Sequence, residues 1–405
     1  MQETIEQIQP QHRMCACWGL LTTFHDAEET RPLDKLFAIA GKLKWPFAIG
    51  MLAYLLFQHW DNFKSLLHGQ KNWGFFALGF TLVAGCAALT FVRWYLLVWA
   101  QEFDFTLKDA FRLGGFGLLC NYGGPGIVGG DLLKAAMVAR NQQSRRAVAA
   151  ATVVLDRILG LLALFMVGAL ATLFVDFDTA ALNEAAATAA AADKSQEQGF
   201  LASVPMMSVV GWSLWGGSIA GVVGLLVMLT PGSTRWPILQ KLVGLKYVGK
   251  TLGDLLNGIA LYQTKRRVVA LAVVISLIGH AGLVAGFYCC ARSLNVWVPN
   301  LWAHYYFMPA AELFASVIPV PGGVGPLEGA ISFFYGLTAA GHVTKETAEA
   351  TGVAAALVFR VTSVVTAVMG AGYYMLTKPK SEPDLLSSKA LDPPQEPTAA
   401  TKLPV

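Results

Sequence analysis

Long apolar runs separated by short polar segments dominate the chain, and most of the runs are long enough to cross a lipid bilayer. A hydrocarbon core about 30 Å thick requires about 20 apolar residues in an α-helix. Six runs meet or approach this length: residues 45–60, 73–92, 147–175, 200–230, 268–291 and 351–376. The first is short, but Lys42 and Lys44 extend it because their stems can lie along the apolar core. The pattern predicts an all-α, polytopic membrane protein with six full spans.

Two further apolar regions, 113–130 and 301–338, are interrupted by glycine and proline. The first ends in Asn-Tyr-Gly-Gly-Pro-Gly-Ile-Val-Gly-Gly from Asn121, and the second contains Ile-Pro-Val-Pro-Gly-Gly-Val-Gly-Pro from Ile318. A straight helix does not survive these runs, because proline removes a backbone donor and each interior glycine costs about 1 kcal/mol. We therefore predict two re-entrant broken hairpins, so that a hydropathy count would give about eight segments. Irregular backbone at this depth must be surrounded by protein or water, so the breaks mark the expected working centre.

Basic residues set the expected orientation, since cytoplasmic loops of membrane proteins carry an excess of lysine and arginine. The loop 231–267 contains one acid, Asp254, and seven basic residues: Arg235, Lys241, Lys246, Lys250, Lys265, Arg266 and Arg267. The loop 176–199 contains five acids and a single basic residue, Lys194, and is expected to face outward. Threading the spans from these loops places both termini on the cytoplasmic side of the cell (inner) membrane.

The same threading predicts two halves, about 45–175 and 200–376, that lie in the membrane with opposite orientation. Each half consists of two spans, a broken hairpin and a span with internal charge. Sequence similarity supports this inverted repeat weakly: Pro-Gly-Ile-Val-Gly at 125–129 recurs as Pro-Gly-Gly-Val-Gly at 321–325. Chance recurrence in glycine-rich helices is the alternative. Paired interrupted helices in such repeats are typical of transport sites near the bilayer midplane.

The remaining segments have the composition of flanking and connecting regions. Residues 1–44 are polar and are expected to form a cytoplasmic N-terminal segment, and residues 377–405 are proline-rich, which predicts a disordered cytoplasmic tail. Within the loop 231–267, five side chains share one helical face and predict an amphipathic helix on the inner leaflet: Leu252, Leu255, Leu256, Ile259 and Tyr262. The transmembrane domain is therefore expected to cover residues 45–376.

Composition narrows the function classes. Of 405 residues, 55% are hydrophobic and 14% are charged, against about 25% charged in soluble domains, which excludes an ordinary soluble enzyme. The formal net charge of +4 is too small to indicate a nucleic-acid partner. The six cysteines lie mostly in apolar runs, where a thiol behaves as a small hydrophobe. No cofactor, metal site or catalytic motif is predicted.

Charged residues inside apolar spans are the strongest functional signal, because a charge at the bilayer centre is costly and usually faces the protein interior. Arg157 and Arg360 lie about 15 Å deep in their spans, near the midplane, which they approach from opposite sides. Below two hairpin tips with inward-pointing N–H groups, they would bind an anion such as a lipid phosphate. The alternative is that Arg157 pairs with an acid only to hold helices together. Asp156, its neighbour on the helix, cannot face the same way.

Charged residues also flank both hairpin tips. Asp131 and Lys134 share one helical face and would grip a headgroup, although Asp131 alone also suits a helix N-terminus. Glu328 has the equivalent position after the second tip, and Glu312 precedes that tip. For Glu312, Glu328 and Asp156, the sequence leaves open whether they are ion-pair partners or proton carriers.

Two other polar residues have simpler interpretations. Arg93, at the end of a predicted span, is expected to be an interfacial anchor, and His280 a hydrogen-bonded packing residue. The predicted substrate-binding residues are Gly126, Gly129, Gly130, Asp131, Lys134, Asp156, Arg157, Pro321, Gly322, Gly323, Gly325, Glu328 and Arg360.

Several motifs, taken in order, resemble one membrane-protein family. They are Phe91-Val-Arg-Trp-Tyr-Leu-Leu97, Gly124-Pro-Gly-Ile-Val-Gly-Gly-Asp-Leu-Leu-Lys134, Ser144-Arg-Arg146, Leu155-Asp-Arg-Ile-Leu-Gly160, Pro321-Gly-Gly-Val-Gly-Pro-Leu-Glu-Gly329 and Phe359-Arg360. Their order and spacing resemble the lysylphosphatidylglycerol synthase transmembrane region, also called the flippase-like family, over about 45–376. The resemblance implies an integral inner-membrane protein that moves a phospholipid or another lipid-linked anion between leaflets, with both glycine motifs near the path.

The chain departs from the family pattern in three places. The full synthases carry a large cytoplasmic aminoacyl-transferase domain after the membrane part, whereas a short tail follows residue 376 here, so aminoacylation is not expected. Lys134 stands where arginine is more usual, and Pro326 where a small or variable residue is usual. Because lysine binds phosphate as a point charge without the arginine fork, the resemblance does not fix the headgroup.

The leading hypothesis is a flippase-like lipid translocase, not an enzyme, in which Arg157, Arg360 and Lys134 handle an anionic headgroup. Its expected partners are anionic membrane lipids, and a homodimer is left open. One alternative is a membrane enzyme acting on a lipid phosphate or polyprenyl carrier, with the intramembrane carboxylates as acid or base. Another is an accessory protein for envelope polymer export that docks through the basic loop.

Overall fold

A computed structural model describes residues 57, 69–123, 129–140, 146–175, 206–237, 249–318, 320, 323–339 and 342–377. These residues are helical with short connections, as the apolar pattern predicts. They contain ten α-helices: α1 (Trp73–Ala100), α2 (Leu107–Gly123), α3 (Gly129–Arg140), α4 (Arg146–Ala171), α5 (Met206–Leu229), α6 (Gly249–Thr264), α7 (Arg266–Arg292), α8 (Leu301–Val317), α9 (Pro326–Leu337) and α10 (Lys345–Leu376). The predicted N-terminal segment and the tail after residue 377 lie outside the described residues.

Five helices are long and apolar enough to cross a membrane: Trp73–Ala100, Ala151–Ala171, Ser208–Leu229, Arg266–Arg292 and Lys345–Leu376. They match five of the six predicted spans, and the sixth, 45–60, lies outside the described residues except for residue 57. Helix α1 starts where the Asn72 side chain accepts a hydrogen bond from Phe75 N at 3.2 Å. It continues to Ala100, past the predicted end at residue 92, so Arg93 lies inside the helix.

Each interrupted region forms a pair of helices, and the two pairs have the same lengths. Helices α2 and α8 have 17 residues each, and α3 and α9 have 12 each. A 12-residue helix is about 18 Å long, too short for a hydrocarbon core of about 30 Å. The break between α8 and α9 contains Gly323 and Gly325, whose φ angles of 65° and 93° suit glycine. The predicted interruption of the second region is confirmed, residues 124–128 of the first region lie outside the described residues, and the re-entrant path through the membrane stays a prediction.

The helices pack so that each charged span contacts both broken pairs. Helix α4 packs against α3, its neighbour in the chain, and against α8 of the other pair. Helix α10 packs in the same way against α9 and α2. Helices α1 and α7 pack extensively on each other, and α1 contacts α10 as α7 contacts α4. Exchanging α1–α4 with α7–α10 therefore leaves the pattern of extensive contacts unchanged.

Glycine allows the closest of these helix contacts. A Cβ atom on Gly115 of α2 would stand 2.7 Å from the Cα atom of Gly370 on α10. Gly117 and Gly130 bring the backbones of α2 and α3 into equally direct contact. In lipid, burial from water does not drive helices together, so close packing through small residues contributes much of the association.

Helix α6 is the helix that the apolar face in the loop 231–267 predicts, but two residues of this face, Leu256 and Tyr262, pack on protein. Leu256 and Tyr262 are 8% and 2% exposed, and the Tyr262 hydroxyl donates a hydrogen bond to Leu97 O at 2.9 Å. The prediction that the face lies on the inner leaflet is therefore wrong for these two residues. The carbonyl groups at the end of α1 offer a partner that lipid chains lack, which favours docking on protein.

We expect Gly115→Ala to lower the free energy of unfolding by about 1–3 kcal/mol, because the new methyl group meets the backbone of Gly370, which cannot move aside as a side chain can. The measurement is thermal unfolding in detergent. Gly372→Ala on α10 is the matched control, since a Cβ there has no atom within 4 Å. It should leave stability unchanged or raise it by up to about 1 kcal/mol through helix propensity. Equal melting temperatures for the two variants would contradict the close approach of α2 and α10.

Candidate functional site

The first ion-pair cluster joins α3 to α4. Asp131, the third residue of α3, forms an ion pair through Oδ2 with Arg157 Nε from the middle of α4. Lys134, one turn further along α3, places Nζ 3.5 Å from Asp131 Oδ1. Lys134 Nζ also lies 5.5 Å from the ring centroid of Trp94 on α1, within range of a cation–π contact. Asp131 and Lys134 are buried, whereas the Arg157 side chain is 47% exposed.

The second ion-pair cluster joins α9 to α10. Glu328, the third residue of α9, is fully buried and forms an ion pair through Oε1 with Arg360 Nε. Its Oε2 atom accepts a hydrogen bond from Gly325 N at 2.7 Å, as an acid in the first turn of a helix often does. Arg360 Nη2 also donates to Gly323 O at 3.3 Å. The arginine thus holds both the start of α9 and the break that precedes it.

The two acid–arginine pairs occupy corresponding places. In each pair the acid is the third residue of a 12-residue helix, and the arginine comes from the long charged helix that follows. Asp131 and Glu328 are therefore ion-pair partners of Arg157 and Arg360, and for Glu328 this is one of the possibilities that the sequence left open. Their part in binding a substrate stays a prediction.

A third cluster connects α1, α4 and α7 through Arg93. This side chain is buried, its Nε donates to Asp156 Oδ1 at 2.7 Å, and its Nη1 donates to Ser276 Oγ at 2.9 Å. The prediction that Arg93 is an interfacial anchor is wrong, because α1 continues to Ala100 and carries Arg93 into the protein interior. Asp156 faces Arg93 while its neighbour Arg157 faces α3, as adjacent positions on a helix must.

Gly160 leaves room for a histidine beside this third cluster. A Cβ atom on Gly160 would stand 3.2 Å from Arg93 Nη1 and 3.7 Å from His280 Nε2, so the guanidinium and imidazole groups share the space over this glycine. His280 Nδ1 is buried and has no hydrogen-bond partner among the described residues. The expectation of a hydrogen-bonded histidine is therefore wrong for this nitrogen atom.

Tyr122 links the first broken pair to the second ion-pair cluster. Its neighbour Asn121 accepts a hydrogen bond from Gly130 N at 2.9 Å, which ties the end of α2 to the start of α3. The Tyr122 side chain lies near Ser363 of α10 and interacts electrostatically with Arg360. The end of α2 therefore reaches the ion pair that holds the start of α9.

Glu312 differs from the other intramembrane acids. It lies half-buried on α8 and interacts electrostatically with Tyr122. It forms no ion pair with another residue in the part of the chain that the structure describes. The role of proton carrier that the sequence left open for Glu312 stays a prediction.

The remaining predicted site residues fall on the breaks themselves. Gly126, Pro321 and Gly322 lie outside the described residues, and Gly129 begins α3. Sequence reasoning missed Arg93, Ser276 and Tyr122 as members of the clusters. For Arg93 a signal was present, since the apolar pattern continues beyond residue 92 in Trp-Tyr-Leu-Leu-Val-Trp-Ala. Ser276 and Tyr122 have no comparable signal, because their partners come from distant helices.

Comparison with known proteins adds a family to this geometry. A sequence model of the family described as "Lysylphosphatidylglycerol synthase TM region" matches residues 44–370, more than half of the chain. The matched residues include all three clusters. A search of curated proteins and a search of solved structures found no match.

Breaking the Arg93–Asp156 pair from one side should destabilise the protein strongly. We expect Arg93→Met or Asp156→Leu to lower the free energy of unfolding by about 3–5 kcal/mol, because each leaves a buried charge uncompensated. The double variant should lose much less than the sum. The measurement is a double-mutant cycle by unfolding in detergent.

The control for this cycle is Glu102→Gln, which breaks the more exposed pair between Lys265 Nζ and Glu102 Oε1 at 2.8 Å. It should cost less than about 1 kcal/mol. Additive losses in the cycle would show that Arg93 and Asp156 do not stabilise each other.

Proposed function

Because the chain belongs to the lysylphosphatidylglycerol synthase TM region family, we propose that it is a multi-pass lipid translocase that moves an anionic phospholipid or lipid-linked headgroup between the leaflets of the cell (inner) membrane. In this proposal both termini are cytoplasmic. The broken pairs α2/α3 and α8/α9 are re-entrant and belong to an inverted repeat. The proposal goes beyond the family, which supports an integral membrane protein with a lipid-related function.

The observation that carries the proposal is the pair of corresponding contacts, Asp131–Arg157 and Glu328–Arg360. A guanidinium group binds a carboxylate and a phosphate with the same fork geometry, so an anionic headgroup can replace the carboxylate. Each contact holds a short helix against a long one, so replacing the carboxylate releases that helix. Binding of the headgroup thus acts directly on the element that would open the path.

The packing supports two gates that act in turn. The equal lengths of the two broken pairs and the exchangeable pattern of helix contacts are what an inverted repeat produces. Such repeats commonly move as bodies around a shared site near the midplane. Helix α2 packs on α10, and α8 packs on α4, so one helix of each half packs against the charged helix of the other half. Opening one half therefore changes the support of the other.

Tyr122 provides a specific contact between the halves. It belongs to the first broken pair, yet it lies near Ser363 of α10 and near Arg360 in the second cluster. Displacement of α2 withdraws the hydroxyl group from these partners. We therefore assign Tyr122 the role of transmitting the position of the first broken pair to the second ion pair.

The alternatives have less support in the described residues. A membrane enzyme working by acid–base catalysis would place two carboxylates beside one reacting group. Here Asp131, Asp156 and Glu328 each lie against a different arginine. An accessory protein would present a docking surface on the basic loop, and residues 238–248 of that loop lie outside the described part of the chain.

Replacing either arginine should slow lipid translocation. We expect Arg157→Gln and Arg360→Gln to reduce the rate at which fluorescent phosphatidylglycerol changes leaflet in proteoliposomes by about 10-fold to 100-fold, since charged hydrogen bonds contribute about 1.5–3 kcal/mol. Arg157→Lys and Arg360→Lys keep the charge and should show smaller losses. Lys345→Gln, at an exposed ion pair 3.8 Å long, is the control and should translocate at the native rate. Native rates in both glutamine variants, with unchanged elution from a sizing column, would refute the role of the arginines.

Removing the Tyr122 hydroxyl should uncouple the halves without unfolding them. We expect Tyr122→Phe to lower the translocation rate several-fold while changing the free energy of unfolding by less than about 1.5 kcal/mol, because the variant loses only the polar contacts of one hydroxyl group. The same proteoliposome assay and detergent unfolding measure both quantities. Ser363→Ala removes the partner and should reproduce the effect. A native rate in both variants would exclude this contact from the transport cycle.

A further inference from the structure

Helix α4 carries an arginine in the middle of an exposed apolar stripe. We call Val154, Arg157, Ile158 and Leu161 the α4 stripe, since their spacing places them on one face of the helix. The three apolar members are 58%, 50% and 46% exposed, and the Arg157 side chain is 47% exposed. The opposite face is buried, with Leu159 at 0%. The stripe thus exposes the arginine of the first ion-pair cluster on the outer face of α4.

The depth of Arg157 in its span indicates what faces the stripe. Arg157 is the seventh residue of the apolar span Ala151–Ala171, so it lies about 9 Å from the start of that span and inside a hydrocarbon core about 30 Å thick. A charged group exposed at this depth is costly unless a polar group comes to it from the membrane. A phospholipid offers both parts of a matching surface, because its phosphate suits the guanidinium and its acyl chains suit the apolar members of the stripe.

Lys134 distinguishes the first cluster from the second. When a phosphate replaces Asp131 as the partner of Arg157, Asp131 still has Lys134 as a cationic partner. This exchange therefore leaves no buried carboxylate without a cation. The residue at the equivalent position of α9, three after Glu328, is Ile331, which is 1% exposed. In the described residues Glu328 has Arg360 as its cation, and this arginine side chain is only 13% exposed. The first cluster can therefore release its arginine at lower cost.

We propose that the α4 stripe is a lateral binding site for a membrane phospholipid with a monoanionic phosphodiester. The lipid enters from within the bilayer, its phosphate binds Arg157, and an acyl chain lies along Val154, Ile158 and Leu161. Lys134 is the positioning residue, since it holds Asp131 during the exchange. That this lipid is the transported one rests on the proposed function.

Photochemical labelling tests the site in the full chain reconstituted in lipid nanodiscs. The probe is phosphatidylglycerol with a diazirine group in one acyl chain, and peptide mapping locates the adducts. We expect adducts concentrated at 154–161 and reduced by about fivefold in Ile158→Trp, whose larger side chain fills the stripe. Ile219→Trp on α5, where Ile219 is 59% exposed, is the control and should label as the native chain does. Adducts spread evenly over exposed helices, or unchanged by Ile158→Trp, would overturn the site.

Two further probes establish which part of the lipid is recognised. Diacylglycerol with the same diazirine chain lacks the phosphate and should label 154–161 about tenfold less. Equal labelling by diacylglycerol would overturn recognition by Arg157. Soluble glycerol phosphate should not displace the phospholipid at millimolar concentration, because it lacks the acyl chain. Displacement by glycerol phosphate alone would identify a site for free phosphate compounds and would overturn the lipid proposal.

Variants of Lys134 test the exchange. In Lys134→Gln, Arg157 is the one cation of this cluster that still pairs with Asp131, so a phosphate can bind Arg157 only by leaving Asp131 without it. Labelling by phosphatidylglycerol should therefore fall about fivefold, and Lys134→Arg should restore it. Labelling by diacylglycerol should stay unchanged in both variants, which checks that the stripe keeps its shape. Native phosphatidylglycerol labelling in Lys134→Gln would overturn the positioning role.

Translocation measured on the same samples separates the two proposals. Adducts at 154–161 in a native chain that does not move lipid would leave the site standing and refute the translocase. Translocation at the native rate in Ile158→Trp would leave the translocase standing and refute lateral entry along α4.

Discussion

The contact between a carboxylate on a short helix and an arginine on a long one is the interaction on which the rest of the structure depends. Helices α3 and α9 have 12 residues each, too few to cross the bilayer. Each of them carries a buried acid in its first turn, and an unpaired charge inside the protein is costly. Asp131–Arg157 and Glu328–Arg360 satisfy this requirement at the same point of each half. Without these contacts, each buried carboxylate would lose its arginine partner, and each short helix would lose a contact with the long charged helix that follows it.

Close packing is the second requirement, because ion pairs of this kind form only where helix backbones approach. Gly115 and Gly370 allow α2 to lie directly on α10, and Gly117 and Gly130 allow the two helices of the first broken pair to touch. The glycine excess of the sequence, 40 residues, thus has a physical use beyond the breaks themselves. It brings side chains from different halves, such as Tyr122, within reach of one another.

The sequence allowed five of the long helices and the break between α8 and α9 to be predicted, because the thickness of the bilayer fixes helix length and glycine with proline interrupts it. It also identified Arg157 and Arg360, since a charge inside an apolar run is visible without a structure. The residues that pair with these two arginines could not be predicted from the sequence. Arg93 was misplaced because its charge was taken as the end of the span, although the apolar run continues after it to Ala100. The docking of α6 was missed because an amphipathic face suits protein and lipid equally well.

The two halves have corresponding helices, but the energetic cost of separating the acid from its arginine differs between them. This difference bears on which conformation a transporter of this kind would populate at rest. A molecule with equivalent halves would populate two mirrored conformations equally. Lys134 in α3 and Ile331 at the same position of α9 remove that equality, because only the first acid retains a cation when its arginine is taken. The exposed fractions of the two arginine side chains are consistent with this difference, since Arg157 is 47% exposed and Arg360 is 13% exposed. Under the proposed function, the resting state is therefore the one in which the first half is open to lipid and the second is closed.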